Sequence, residues 1–306
     1  MQKVLGIVGP TAVGKTTLSI QLAHQFNGEI ISGDSMQVYR HLDIGTAKVT
    51  PTEMDGIVHH LINIKDVTER YSAADFVADA RQLINEITNR GRLPIIAGGT
   101  GFYLQALLDN LVLGGDSDAD QSIRAELHAH AENVGNEAIW TELKQIDPQA
   151  AAQIPVNNVR RVIRALEVYQ KTGHRFSDQP QLMAGQYDTL LIGLNADRKL
   201  VYDRINQRVD LMFQAGLLDE ARWLLEQGGP TVAAGKGIGY RELYPYLSGA
   251  IDLPTATAKI KQDSRHYAKR QLTWFRNKMN VRWFNVIEHP EARKQIQQTV
   301  SAWLTK

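Results

Sequence analysis

The chain has 306 residues, with 34 Lys and Arg against 33 Asp and Glu, so its formal net charge of +1 by itself points to no polyanionic partner. With 43% hydrophobic and 22% charged residues it reads as an ordinary folded protein, and at this length one large α/β domain with an appended or inserted subdomain is expected. The absence of Cys excludes disulfides, Cys-ligated zinc, iron–sulfur clusters and a Cys nucleophile, and no run approaches the roughly 20 apolar residues of a membrane span or the length of a signal peptide core, so a cytoplasmic protein is expected.

In chain order, Val4–Val8 is a short, β-branched apolar run that reads as a buried parallel strand. A helix over Thr16–Phe26 follows, with Leu18, Leu22 and Phe26 on one face, then a second strand at Glu29–Ser32. Ala73–Asn89 carries Phe76, Val77, Ala80, Leu83, Ile84 and Ile87 at helical spacing, and Leu93–Ala97 is another buried strand, broken by Gly98-Gly99-Thr100-Gly101. This alternation implies a parallel sheet with right-handed crossovers. Near Gly114-Gly115-Asp116 the pattern turns wholly helical, and strand character returns only at Thr189–Leu194. One helix is expected around Leu200–Gln227, a Gly-rich loop at Gly228–Gly239, a long helix around Thr255–Asn277 and a final strand at Val281–Asn285.

Gly9-Pro10-Thr11-Ala12-Val13-Gly14-Lys15-Thr16 fits the phosphate-loop pattern, between a strand and a helix as that motif requires. Its glycines allow a tight turn, backbone N–H groups and the helix N-terminus face phosphate oxygens, Lys15 adds a mobile charge, and the Thr16 hydroxyl can ligate Mg²⁺. The fold expected is therefore α/β, a P-loop NTPase-like parallel sheet flanked by helices with an inserted all-helical subdomain. Residues 1–114 and 187–306 form the core and 115–186 the insertion. No acid ends the strand at Leu93–Ala97, which argues against a motor ATPase and leaves small-molecule kinases and diphosphate-leaving-group chemistry.

Asp34 directly follows the second strand, at the strand ends where open α/β sheets bind ligands. A carboxylate there can take a proton from an acceptor nucleophile, hold Mg²⁺ through water, or simply cap the next turn. Its neighbours Ser35, Gln37, Tyr39 and Arg40 are unusually polar, and Gln37 could read a base edge. Thr100 ends another core strand between glycines that permit close backbone approach to a ligand, or that merely form a tight turn.

Taken together, the phosphate loop, Asp34–Tyr39, Asp43–Lys48, Tyr71–Phe76, Gly98–Tyr103, Arg164–Val168, Gly237–Glu242 and Lys269–Arg276 resemble the signatures of the tRNA dimethylallyltransferase family over nearly the whole chain. One departure is Val49, where the family usually has Pro after the third signature. The resemblance implies transfer of a dimethylallyl group from dimethylallyl diphosphate to N6 of the adenosine 3′ of the anticodon, in tRNAs reading codons that start with U. It implies Asp34 as general base, Thr100 near the reacting atoms, Lys15 and Thr16 on the diphosphate and its Mg²⁺, and Arg208 as a diphosphate clamp. Without it, Arg208 reads as an exposed helix charge. The insertion is a candidate lid against water.

The charges are sorted along the chain. Asp109–Asp147 is mainly acidic, whereas Lys259–Arg282 holds Lys259, Lys261, Arg265, Lys269, Arg270, Arg276, Lys278 and Arg282 against only Asp263. Arg160, Arg161, Arg164, Lys171 and Arg175 form a second basic cluster. Basic residues interleaved with His266, Tyr267, Trp274 and Phe275 suit phosphate contacts and base stacking, although a solvated helix face would look similar. The expected tRNA-binding set is Asp34, Ser35, Met36, Gln37, Thr100, Arg160, Arg161, Arg164, Arg241, Arg265, Lys269 and Arg270, with the anticodon stem-loop as partner, no membrane, and a monomer. A nucleotide kinase and a dimethylallyltransferase acting on free adenine nucleotides remain as alternatives.

Overall fold

The sheet is built around β1 (Gln2–Val8), whose Val4, Leu5, Ile7 and Val8 are all fully buried, as a parallel strand covered on both faces requires. In this computed structural model residues 1–111, 113, 121–178 and 186–306 are described. The change of character expected at Gly114-Gly115-Asp116, with the acids Asp116, Asp118 and Asp120, lies outside the described residues. After β1 come α1 (Lys15–Gln25), β2 (Gly28–Ser32), α2 (Pro51–Met54), β3 (His59–His60), α3 (Ala73–Asn89), β4 (Leu93–Gly98) and α4 (Gly101–Leu108). A helical stretch follows: α5 (Gln121–Val134), α6 (Asn136–Ile146), α7 (Pro148–Gln153) and α8 (Val159–Thr172). The chain then continues through β5 (Tyr187–Leu194), α9 (Arg198–Gln214), α10 (Leu217–Glu226), α11 (Tyr244–Leu247), α12 (Leu253–Lys278), β6 (Arg282–Phe284) and α13 (Ala292–Leu304).

Among the described residues the strands pair in the order β3-β2-β4-β1-β5-β6, every pair parallel. All carboxyl ends therefore emerge at one edge, where Gly9, Gly33, Gly99 and Asn195 begin their loops, and this places the site. This is an α/β fold of the P-loop NTPase-like kind. The chain divides into two compact units, Met1–Asp109 with Ala184–Lys306, and Asn110–Met183. The second has its own core, including Leu127, Ile139, Leu143, Val162, Ile163 and Leu166. In it the Glu167 carboxylate is buried between Arg124, Arg164 and Lys171 at 2.7, 2.9 and 3.0 Å. Burial opposes its charge, but the three cations outweigh burial and hold the carboxyl down to about 2.

The bounds of α3 follow from local chemistry. Ser72 Oγ accepts the Asp75 N–H and the Asp75 carboxylate accepts the Ser72 N–H, closing the helix start, while the expected stripe is buried except for half-buried Leu83. The single helix expected over Leu200–Gln227 is instead α9 and α10. Gly216 adopts a left-handed φ of 104° and turns the chain between them, although the apolar spacing runs on. Neither β3 nor α13 was expected. β3 is two residues long, and α13 buries only Ala292, Ile296 and Val300 among polar neighbours. Trp303 still anchors α13, donating from Nε1 to Asp188 while its carbonyl accepts from Lys3 Nζ.

Candidate active site

The loop from Gly9 to Thr16 wraps the end of β1 and enters α1. Gly9 has φ 138°, and a Cβ there would lie 2.4 Å from the Leu194 carbonyl oxygen, so only glycine fits. Ala12 also sits at a positive φ of 67°, an unusual backbone position of the kind that collects at ligand sites. Pro10, Ala12 and Val13 are buried beneath the loop, and Gly14 caps α1 without a side-chain bond, leaving the first-turn N–H groups open to an anion. Lys15 Nζ folds back to donate to the Gly9 and Pro10 carbonyls at 3.0 and 2.7 Å. Burial first, then the Arg208 charge, pulls its pKa down to about 8, with Asp34 opposing. From α9, Arg204 Nε donates to the Ala12 carbonyl at 2.8 Å and Arg208 Nη1 to Thr11 Oγ1 at 3.4 Å. Arg208 is exposed by its surface area, yet the protein around its head and the neighbouring Arg204 both lower its pKa.

Asp34 lies across the crevice from this loop. Burial raises its pKa, while the Met36 N–H, donating to Oδ1 at 2.9 Å, and the Lys15 charge pull the other way. Thr100 Oγ1 accepts the Ser35 N–H at 3.1 Å, which ties the ends of β2 and β4 together. The glycines around Thr100 make close approaches, but to protein rather than to open space. A Cβ on Gly98 would meet the Gly33 carbonyl oxygen at 2.2 Å, on Gly99 the Gln271 amide at 2.1 Å, and on Gly101 the Trp274 ring at 2.4 Å. Gln37 is likewise engaged within the protein. Its Oε1 accepts from Ser32 Oγ at 2.9 Å, and its Nε2 faces the Thr46 and Ala47 carbonyls at 3.3 and 3.5 Å.

Thr11, Lys15, Asp34, Ser35, Met36, Arg208, Arg241 and Arg270 line one crevice of about 330 Å³. Its apolar walls include Ile205, Val209, Met212, Ile238 and Ile260. For a cation, Thr16 offers an exposed hydroxyl, and among the described residues no group of three or more His, Asp or Glu could hold a metal. A Mg²⁺ drawing its other oxygens from a bound diphosphate and water fits this single-oxygen donor set.

The expected cations fall into distinct settings. Arg241 pairs with Glu242 at 2.6 Å and Asp263 at 3.3 Å, and Arg265 donates to Asn206 at 2.6 Å. Lys269 and Arg270 are exposed on α12, with Arg270 over the Tyr267 ring at 5.7 Å. Arg160, Arg161 and Arg164 belong to the helical unit. The first two are exposed, and Arg164 is paired with Glu167.

Residues 37–278 match the model of a family described as IPP transferase. The chain belongs to that family. It is 61% identical over 308 aligned positions to the tRNA dimethylallyltransferase of Limosilactobacillus reuteri, covering 100% of both chains. The tRNA dimethylallyltransferase of Levilactobacillus brevis is 58% identical over 100% of this chain and 99% of its own. Among solved structures, the tRNA isopentenylpyrophosphate transferase of Bacillus halodurans is 48% identical with a TM-score of 0.76, over 100% of this chain and 97% of that one. A eukaryotic dimethylallyltransferase, captured acting on tRNA, is 31% identical with a TM-score of 0.82, over 97% of this chain and 78% of that one.

One residue that organises the crevice was not anticipated as part of the site. Gln271 is buried and bridges the phosphate loop to β4, accepting the Thr11 N–H at 3.0 Å and donating to the Gly99 carbonyl at 2.9 Å. Its signal was a polar residue on the buried stripe of Ala268 and Phe275. Tyr267 lines the crevice, its hydroxyl pushed up to about 12 by burial and then by Asp34. Val49, the departure from the family pattern, is buried in the main core. Lys48 beside it is buried, donating to Asp43, the Tyr39 carbonyl and Asn63, each at 2.7 Å.

Proposed function

We propose that the protein transfers a dimethylallyl group from dimethylallyl diphosphate to N6 of the adenosine immediately 3′ of the anticodon, in tRNAs reading codons that start with U. The observation that carries this reading is Asp34 in the same crevice as Lys15 and Arg208, beside a phosphate loop with open N–H groups. Family membership supports it. The C–O bond to diphosphate breaks as the N6–carbon bond forms, and the electron pair leaves with diphosphate. Lys15, Arg208 and the first-turn N–H groups of α1 stabilise that growing charge. Asp34 takes the proton that N6 loses, and burial makes it a stronger base than a solvated carboxylate. Mg²⁺ held through Thr16 would neutralise diphosphate charge. Thr100 keeps Ser35 and Asp34 at the strand edge.

Lys269, Arg270, Arg265 and Arg241 on the sheet unit, and Arg160, Arg161 and Arg164 on the helical unit, are the proposed contacts to the anticodon stem-loop. Among the described residues no helix is long and apolar enough to cross a membrane. We assign the reaction to the cytoplasm and to a monomer. The test offers Mg²⁺, labelled dimethylallyl diphosphate and unmodified tRNA, with AMP and ATP as parallel substrates. Label in tRNA is expected. Label confined to AMP, or transfer of the γ-phosphate from ATP, would replace this reading by a free-nucleotide transferase or a kinase.

A further inference from the structure

One wall of the crevice that holds Asp34 is fixed by a carboxylate that none of the chemistry above uses. Glu220, in the first turn of α10, accepts four hydrogen bonds. Its Oε2 takes the N–H groups of Asp43 and Ile44 at 2.8 and 2.9 Å, and its Oε1 takes the Gly45 N–H at 2.8 Å and the Tyr240 hydroxyl at 2.7 Å. Three consecutive backbone N–H groups turned to one anion form a nest, here filled by the protein's own side chain. Four donors also use the carboxylate's full accepting capacity.

Two separate segments meet at this point. Tyr240 is fully buried, and its ring lies so close to Gly45 that a Cβ there would be 2.6 Å from both Cζ and the hydroxyl oxygen. Glu220 therefore joins segment 43–45 to segment 237–240. The other edge of the first segment is fixed by Gln37, facing the Thr46 and Ala47 carbonyls, and by Lys48 on Asp43 and Asn63. The residues so fixed, Gly45, Thr46, Ala47, Gly237, Ile238 and Tyr240, line the crevice together with Lys15, Asp34 and Arg208. None of the six is charged, so their contribution is shape.

Resting on the transferase reading above, we propose that Glu220 is a positioning residue. It locks segments 43–45 and 237–240 into one rigid wall, which sets how the acceptor amine meets the allylic carbon and leaves no room for water beside it. Loosening that wall lowers turnover without weakening the grip on diphosphate, because the charged groups of that grip, Lys15, Arg208 and the first-turn N–H groups of α1, are not bonded to Glu220. It also lets water compete, because water attacking the allylic carbon gives dimethylallyl alcohol, diphosphate and a proton.

Glu220→Gln keeps the shape but turns an NH₂ towards backbone donors. Tyr240→Phe keeps the ring and removes one of the four donors. Steady-state kinetics with tRNA should show kcat down by about 10- to 100-fold in Glu220→Gln, with KM for dimethylallyl diphosphate within about twofold of wild type. The ratio of dimethylallyl alcohol to prenylated tRNA should rise, with Tyr240→Phe moving the same way by less. A fold-only role predicts fewer active molecules with the alcohol-to-tRNA ratio unchanged, and an unchanged ratio in folded Glu220→Gln overturns the proposal. Should that variant not fold, an unchanged ratio in Tyr240→Phe does so. Failure of the transferase reading is distinguishable, since wild type would then prenylate no tRNA at all.

Discussion

Lys15 shows how the site is poised before substrate arrives. Its ammonium is desolvated, faces Arg208, and rests on the Gly9 and Pro10 carbonyls, and its pKa falls to about 8. In the proposed reaction Lys15 must be protonated to hold diphosphate, and a pKa of about 8 would make that binding pH-dependent. Affinity for dimethylallyl diphosphate should weaken about fivefold between pH 8 and 9, measured by calorimetry without tRNA. A flat profile would mean that Lys15 keeps its proton or does not touch the ligand. The sign for stability is opposite. Because the folded pKa lies below the ordinary 10.5, the Lys15 contribution to the ligand-free protein rises as pH climbs from about 8 towards 10.5, where the unfolded chain still holds that proton. At this scale the sequence was legible where a motif states its own chemistry, as in Gly9–Thr16. It was not legible for Glu220, because the backbone groups that this carboxylate meets, at residues 43–45, lie far away in the chain.

Among the elements, α3 and α12 were legible and α9–α10 was not. Ser72 and Asp75 fix the start of α3 through bonds within four residues, so its bounds can be read locally. The break at Gly216 depends on a left-handed backbone angle that spacing does not reveal. The charge on α12 also divides in a way composition hides. Lys259, together with Arg241, is paired with Asp263, and Lys261 with Asp210. Lys269, Arg270, Arg276, Lys278 and Arg282 have no carboxylate within 4.0 Å among the described residues. Of the contacts that this helix is proposed to make, the phosphate contacts should therefore come chiefly from its C-terminal half. Removing Lys269 and Arg270 together should weaken tRNA binding and flatten its salt dependence by about 1 to 2 units in the slope of log K against log[salt]. An unchanged slope would move the RNA contact elsewhere. The Arg160–Arg175 cluster is less available than its count suggests, since Arg164 and Lys171 neutralise buried Glu167.

Across the whole molecule the net charge of +1 is a near-cancellation of opposite functions. Carboxylates such as Glu167, Glu220 and Glu242 are spent holding the protein together, while unpaired cations remain on α12 and around the phosphate loop. The molecule so separates holding from reacting. In the proposed reaction, surface cations would grip the RNA, the loop with Lys15 and Arg208 would grip diphosphate, and Asp34, the only carboxylate lining the crevice among the described residues, would take the acceptor's proton. The most direct test is single-turnover transfer by Asp34→Asn, with tRNA affinity measured on the same preparation. The account predicts tRNA binding within about threefold of wild type and a transfer rate at least 100-fold lower. Transfer at the wild-type rate would contradict it, because the proton would then leave by another route.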